Sequence, residues 1–139
     1  MTIKHKILVS YIKDLSVETP DPESLIAARE NISKYSLKLD LSSKALKNKM
    51  IEVYTKLTYE DKLNKKKTYF EMIYATVVRI EEDKPKPEDL KKFILCDLQI
   101  QIYPGIEKRF LEILKLSGFP KLQLKSNVDF NKLYKEKNN

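Results

Sequence analysis

The stretch from Tyr69 to Ile80 constrains the fold more than any other, because it is apolar on both sides of an extended chain. Phe70, Met72, Tyr74, Val78 and Ile80 fall on one face, and Tyr69, Ile73, Ala75 and Val77 on the other. A strand with this pattern has to be covered twice. One face can pack on helices of the same chain. The other points to a partner subunit, since soluble monomers rarely leave several large apolar side chains exposed together.

The other extended segments read differently. Leu37, Leu39 and Leu41 alternate strictly with Lys38, Asp40 and Ser42, the period of a strand with one face toward water. Ile3 to Ile12 also alternates, with Ile3, Ile7, Val9 and Tyr11 on one side, and a third strand runs near Ile51 to Tyr59, with Ile51, Val53, Leu57 and Tyr59 in register. Pro20 and Pro22 make residues 19–23 irregular, ahead of a short helix from Ser24 to Asn31.

Beyond the fourth strand, Pro87-Glu88-Asp89 suits the first turn of a helix. Leu90, Ile94, Leu98 and Ile102 recur at helical spacing, Pro104-Gly105 is expected to interrupt or kink the run, and Ile106, Phe110, Ile113 and Leu114 resume it until Gly118. Asp129 is a candidate N-cap for a terminal helix with Phe130, Leu133 and Tyr134 on one side. The expected fold is α+β: a four-stranded antiparallel sheet, a long Pro-interrupted helical region and a short C-terminal helix, in one domain over residues 1–139.

Little in the chain is equipped for chemistry. His5 is the only histidine and Cys96 the only cysteine, so no multi-thiolate metal site and no internal disulfide can form. Gly105 and Gly118, the only glycines, build no phosphate loop, and Glu81-Glu82-Asp83 reads as a solvated turn. We expect no catalytic residue, no metal and no cofactor. The formal charge is +7, yet only Arg29, Arg79 and Arg109 among the 27 basic residues are arginines, whose planar group grips phosphate best. Lys62, Lys65, Lys66 and Lys67, beside Tyr69 and Phe70, carry the alternative reading, a basic nucleic-acid-binding module; a charged hairpin tip that keeps a turn solvated is the simpler account. No long uncharged apolar run and no signal-peptide pattern is present, so the chain is expected to stay in the cytoplasm without direct membrane insertion.

Several segments carry a family likeness. They are Tyr11-Ile12-Lys13-Asp14-Leu15-Ser16-Val17-Glu18-Thr19-Pro20, then Leu37-Lys38-Leu39-Asp40-Leu41, then Tyr103-Pro104, Gly118-Phe119-Pro120-Lys121-Leu122 and Val128-Asp129-Phe130-Asn131-Lys132-Leu133-Tyr134. Together and in this order they resemble the SecB family of protein-export chaperones over nearly the whole chain. The resemblance implies an ATP-independent holdase, a homotetramer built as a dimer of dimers, that binds unfolded preproteins and passes them to the SecA motor. It implies that Leu37, Leu39 and Leu41 line the client groove, and that Phe70, Met72 and Tyr74 occupy positions governing subunit association. Asp14, Glu18 and Glu71, with Tyr69 beside them, would form the SecA-binding surface. A SecB-like chaperone dedicated to a single client, such as an antitoxin, is a further alternative. The sequence departs from the family at Gly105 and Glu107, where an aromatic residue and an arginine are usual.

Overall fold

The computed structural model describes residues 3–61, 68–124 and 128–137. Strands β1 (His5–Glu18), β2 (Tyr35–Ala45), β3 (Met50–Asp61) and β4 (Tyr69–Ile80) form one antiparallel sheet in the order β1-β4-β3-β2. The two-faced segment is therefore an interior strand. Its even-numbered residues Phe70, Met72, Val78 and Ile80 are buried, as are Val53 and Leu57 beside them on β3.

The edge strand β1 departs from simple alternation. Its pairing with β4 shifts between Ile7 and Val9 and again between Ile12 and Asp14, so Leu8 and Lys13 are inserted residues. Each bulge exchanges the faces that follow. Ile3 and Ile7 consequently pack with Phe93 and Leu98 on the helix side, while Val9 and Tyr11 sit opposite Val77 and Ala75 on the other side. The expected grouping of these four residues on one side is corrected by the first bulge.

Helix α1 (Pro22–Glu30) begins earlier than the proline spacing suggested. Asp21 caps it by accepting from the Ser24 amide at 2.7 Å, and Pro22 gives up only an N–H that a first turn does not use. A 3-10 turn, Ile32–Lys34, leads into β2. After β4, α2 (Pro87–Lys92), a π turn (Phe93–Asp97) and α3 (Leu98–Leu116) follow one another without leaving helical backbone angles. The expected break at Pro104 does not occur: Pro104 is exposed inside α3, and the irregularity lies upstream in the π turn. Arg109, four residues beyond Gly105, donates from Nη1 to the Gly105 carbonyl at 3.0 Å. The chain ends in α4 (Phe130–Lys137), capped by Asp129, which accepts from the Lys132 amide at 3.1 Å.

The helices lie on one face of the sheet. Tyr103, Ile106, Phe110 and Leu114 of α3 pack on Leu57, Phe70 and Met72, and Phe93, Ile94 and Leu98 pack on Val53, Val78 and Ile80. Burying each large side chain of this kind contributes about 1.5–3 kcal/mol. Thr55 and Gln99, both fully buried, lie on β3 and α3, with the Thr55 hydroxyl donating to Gln99 Oε1 at 3.2 Å. Helix α4 is fastened to the π turn by the Cys96 thiol, which donates to Asn131 Oδ1 at 3.1 Å, and to α3 by Phe130, whose ring meets Tyr103 edge-on at 5.2 Å.

Among the described residues the opposite face carries no helix, and there a polar clasp spans three strands. Tyr11 on β1 and Tyr54 on β3 stand on either side of Ala75 on β4, whose methyl group leaves room between them. Tyr11 donates its hydroxyl to Glu52 Oε2 at 2.6 Å, Tyr54 donates to Oε1, and Lys13 donates to the Tyr54 hydroxyl at 3.1 Å while lying over its ring. The bulged edge strand is thereby tied to β3 across its neighbour. The two phenolic hydrogen bonds, that of Tyr11 foremost, hold the Glu52 carboxyl below the ordinary glutamate range.

A depressed carboxyl makes its full contribution above the unfolded value, about 4.3, and loses it as pH falls through the lower folded value. Urea midpoints measured across that range should therefore fall more steeply below about pH 4.3 in the wild type than in Glu52→Gln. Gly118 offers a second check, because its φ is +118° and an added Cβ would stand 2.9 Å from Leu25 Cδ1. Gly118→Ala should lose about 1–2 kcal/mol in denaturant titration.

Candidate functional site

Strand β2 is an edge, and α3 covers the middle of the sheet rather than this margin. Leu37, Leu39 and Leu41 all face the helix side and are all partly exposed. Alongside Leu37 and Leu39 runs a groove of about 640 Å³, walled by Ile32, Tyr35, Tyr59 and Leu122 among others. Leu41 is placed differently. With Leu39 and Leu95 it bounds a space of only about 40 Å³ closed by Leu133 and Tyr134 of α4. The structure thus brings Leu37 and Leu39 into one open groove and sets Leu41 at its end, beneath the terminal helix.

Among the described residues the groove walls are uncharged. The Tyr35 and Tyr59 rings meet at 5.3 Å, and the Tyr35 hydroxyl donates to the Thr68 carbonyl at 2.6 Å. Burial pushes both phenols above their usual range, and for Tyr35 the Asp61 carboxylate adds to the effect. Both remain neutral at physiological pH. Such walls can bind apolar side chains by removing them from water. Among the described residues no three His, Cys, Asp or Glu side chains lie close enough to hold a metal ion.

Sequence reasoning missed part of this site. Leu122 and Leu124 follow Pro120 in an alternating pattern that marks an extended wall, a signal present in the sequence. Ile32 carries no such signal, because it enters the groove through the 3-10 turn between α1 and β2, whereas Tyr35, the first residue of β2, continues the alternation of Leu37 and Leu39.

The other predicted residues lie elsewhere. Asp14, Glu18, Tyr69 and Glu71 share the open face: Glu18 pairs with Tyr69, Ser16 with Glu71 and Asp14 with Ile73 along the β1–β4 ladder. The second bulge puts Asp14 and Glu18 there. Glu71 is engaged by Lys56 at 3.5 Å. Phe70 and Met72 have no exposed surface and Tyr74 very little, since all three lie within the core under the helices. Phe70 and Met72 have no surface to offer a sister subunit directly. Exposed apolar area is instead found along β1, on Val9 and Tyr11 of the open face and on Ile12, Leu15 and Val17 of the helix face. The lysines proposed as a nucleic-acid patch, Lys62, Lys65, Lys66 and Lys67, lie outside the described residues. No helix among the described residues is long and apolar enough to cross a membrane.

Comparison with known proteins agrees with this architecture. The family model for the preprotein translocase subunit SecB matches residues 2–139. A Pelagibacter ubique (strain HTCC1062) protein provisionally named for SecB protein export is 42% identical over 140 residues and covers 100% of both chains. The protein-export protein SecB of Parvibaculum lavamentivorans is 29% identical, over 95% of this chain and 77% of its own length. A Mycobacterium tuberculosis SecB-like chaperone, solved with a peptide of the HigA1 antitoxin, shares the fold at a TM-score of 0.65 and 15% identity, over 87% of this chain and 86% of that one. With a match to the family model along almost its entire length, the chain belongs to the SecB family of protein-export chaperones.

Proposed function

We propose that the chain is an ATP-independent holdase that binds unfolded preproteins in the β2 groove and delivers them to SecA. The observation that carries this reading is the leucine-lined groove beside β2, uncharged and open. Unfolded chains expose the apolar side chains that such a groove removes from water, whereas folded competitors hide them, so binding draws population away from folding by mass action. At about 25 cal/mol per Å² of apolar area, a few hundred Å² of contact supplies at most several kcal/mol, from which the cost of ordering the client is subtracted. Several grooves on one assembly would add avidity.

Assembly into a dimer of dimers is supported by β1. A long edge strand that is apolar and half-exposed on both faces is a template for pairing, and a second copy is the partner that would satisfy it. In this reading Phe70, Met72 and Tyr74 influence association from inside, by seating the helices on the sheet. SecA docking is supported by Asp14, Glu18 and Glu71 on one open face with Tyr69 between strands, a negative surface for a basic partner segment. The cytoplasm follows as the place where preproteins are held before export. A chaperone dedicated to one client is the second reading, favoured by the shared fold with the chaperone solved on an antitoxin peptide.

The holdase reading is tested by mixing the protein with a slow-folding preprotein, denatured or native, and following aggregation and complex size. Binding is expected to the denatured form alone. Leu39→Asp, checked for native circular dichroism, should weaken it at least about tenfold by placing an unpaired charge in the groove. Failure of the wild type to bind any denatured preprotein, with a single partner recovered from cell extract, would support the dedicated-client reading. For the SecA surface, the paired reversal Asp14→Lys with Glu18→Lys should abolish binding to the basic tail of SecA and leave preprotein binding unchanged, read by calorimetry at two salt concentrations.

A further inference from the structure

Among the described residues the client groove is neutral along its walls and cationic at its mouth. Where it passes beyond Ile32 and Leu122 it opens into a second cleft of about 500 Å³, lined by Arg29, Phe119, Pro120, Lys121 and Gln123 together with those two residues. Among the described residues Arg29 and Lys121 are its charged lining residues, and no carboxylate lines it. The Arg29 Nε donates to the Gly118 carbonyl at 2.7 Å, which commits one of the five guanidinium donors and fixes the planar group at the rim.

The opposite end is mixed in sign, with Lys49 there paired to Asp83 at 2.9 Å. Leu95 connects the space beneath α4 to a cleft lined by Leu90 and Lys91, and Leu90 connects that cleft to one lined by Lys49, Lys84 and Glu82. The Glu82 carboxylate accepts from the Lys4 amide at 2.9 Å, which draws it toward β1. These spaces follow β2, whose 11 residues span roughly 35 Å at about 3.3 Å each, the reach of an extended segment of about ten residues.

We infer that this groove selects extended polypeptide segments in which an apolar run is flanked by aspartate or glutamate, with Arg29 and Lys121 reading the flanking carboxylate. The inference rests on the client-binding reading above and names the class of client. Charge complementarity at the mouth discriminates between clients that the neutral middle binds alike, because a flanking lysine would be repelled where a flanking glutamate is attracted. A polypeptide suits the groove better than a nucleic acid, since a phosphate backbone carries charge at every residue and the neutral middle would leave most of it unpaired.

The test uses three fluorescent peptides with one apolar core and Glu, Gln or Lys flanks, titrated by anisotropy at low and high salt. The Glu peptide should bind about fivefold tighter than the Gln peptide at low salt, the Lys peptide weakest, with the spread closing at high salt. Lys121→Gln and Arg29→Gln should each narrow the Glu–Gln gap. Equal binding of all three peptides by the wild type overturns the carboxylate preference and leaves the holdase reading standing, and a Lys preference does the same. Binding of none sinks the holdase reading itself. Tighter binding of a single-stranded oligonucleotide, with displacement of the Glu peptide, assigns the mouth to nucleic acid and overturns the inference.

Discussion

One helix layer cannot cover four strands. The outer strand axes of such a sheet lie about 14 Å apart and an α-helix with its side chains is about 10 Å across, so α3 and the π turn can seal the middle of the sheet and must leave its margins. Packing of Phe93, Leu98, Ile106, Phe110 and Leu114 on β3 and β4 fixes the protomer. What that packing leaves bare defines everything else. At the β2 margin the bare surface is the leucine groove, and at the β1 margin it is a strand with apolar side chains exposed on both faces.

The two margins are handled differently. The groove beside β2 is partly walled by the 3-10 turn and the segment after Phe119, so it is shaped to admit a chain without being filled by one. Strand β1 has no wall. It is tied to the sheet by its ladder with β4 and by the Tyr11–Glu52–Tyr54 clasp, which spans β4 because Ala75 beneath it is small. In the proposed reading, a client surface and an assembly surface on opposite edges would not compete.

Much of the fold was legible because period and position agree. The two-faced pattern at Tyr69–Ile80 marked the interior strand, the strict alternation at Leu37–Leu41 marked a strand with one wet face, and Asp129 capped the terminal helix as its position suggested. Pro104 misled, because a proline costs a helix one hydrogen bond and a local clash, and an exposed position in a well-packed rod tolerates that loss. The π turn and the two bulges had no signature in composition. Each is one residue of slack that local propensity does not encode and that packing of the neighbouring element selects.

By itself the sequence determined which segments extend, which coil and where apolar surface must be hidden, since side-chain period follows directly from backbone geometry. Its single His, single Cys and two Gly set the expectation that no multi-thiolate metal site and no phosphate loop is built. Tertiary structure decided which face each residue of β1 presents. Counted by parity from Tyr11, Asp14 and Glu18 belong with the helix side; the bulge at Lys13 turns them to the open face beside Tyr69 and Glu71. It also decided that Phe70 and Met72 are internal while Leu37 and Leu39 stay accessible. Alternation reports that a side needs cover, and only the finite width of the helix layer settles which strands receive it.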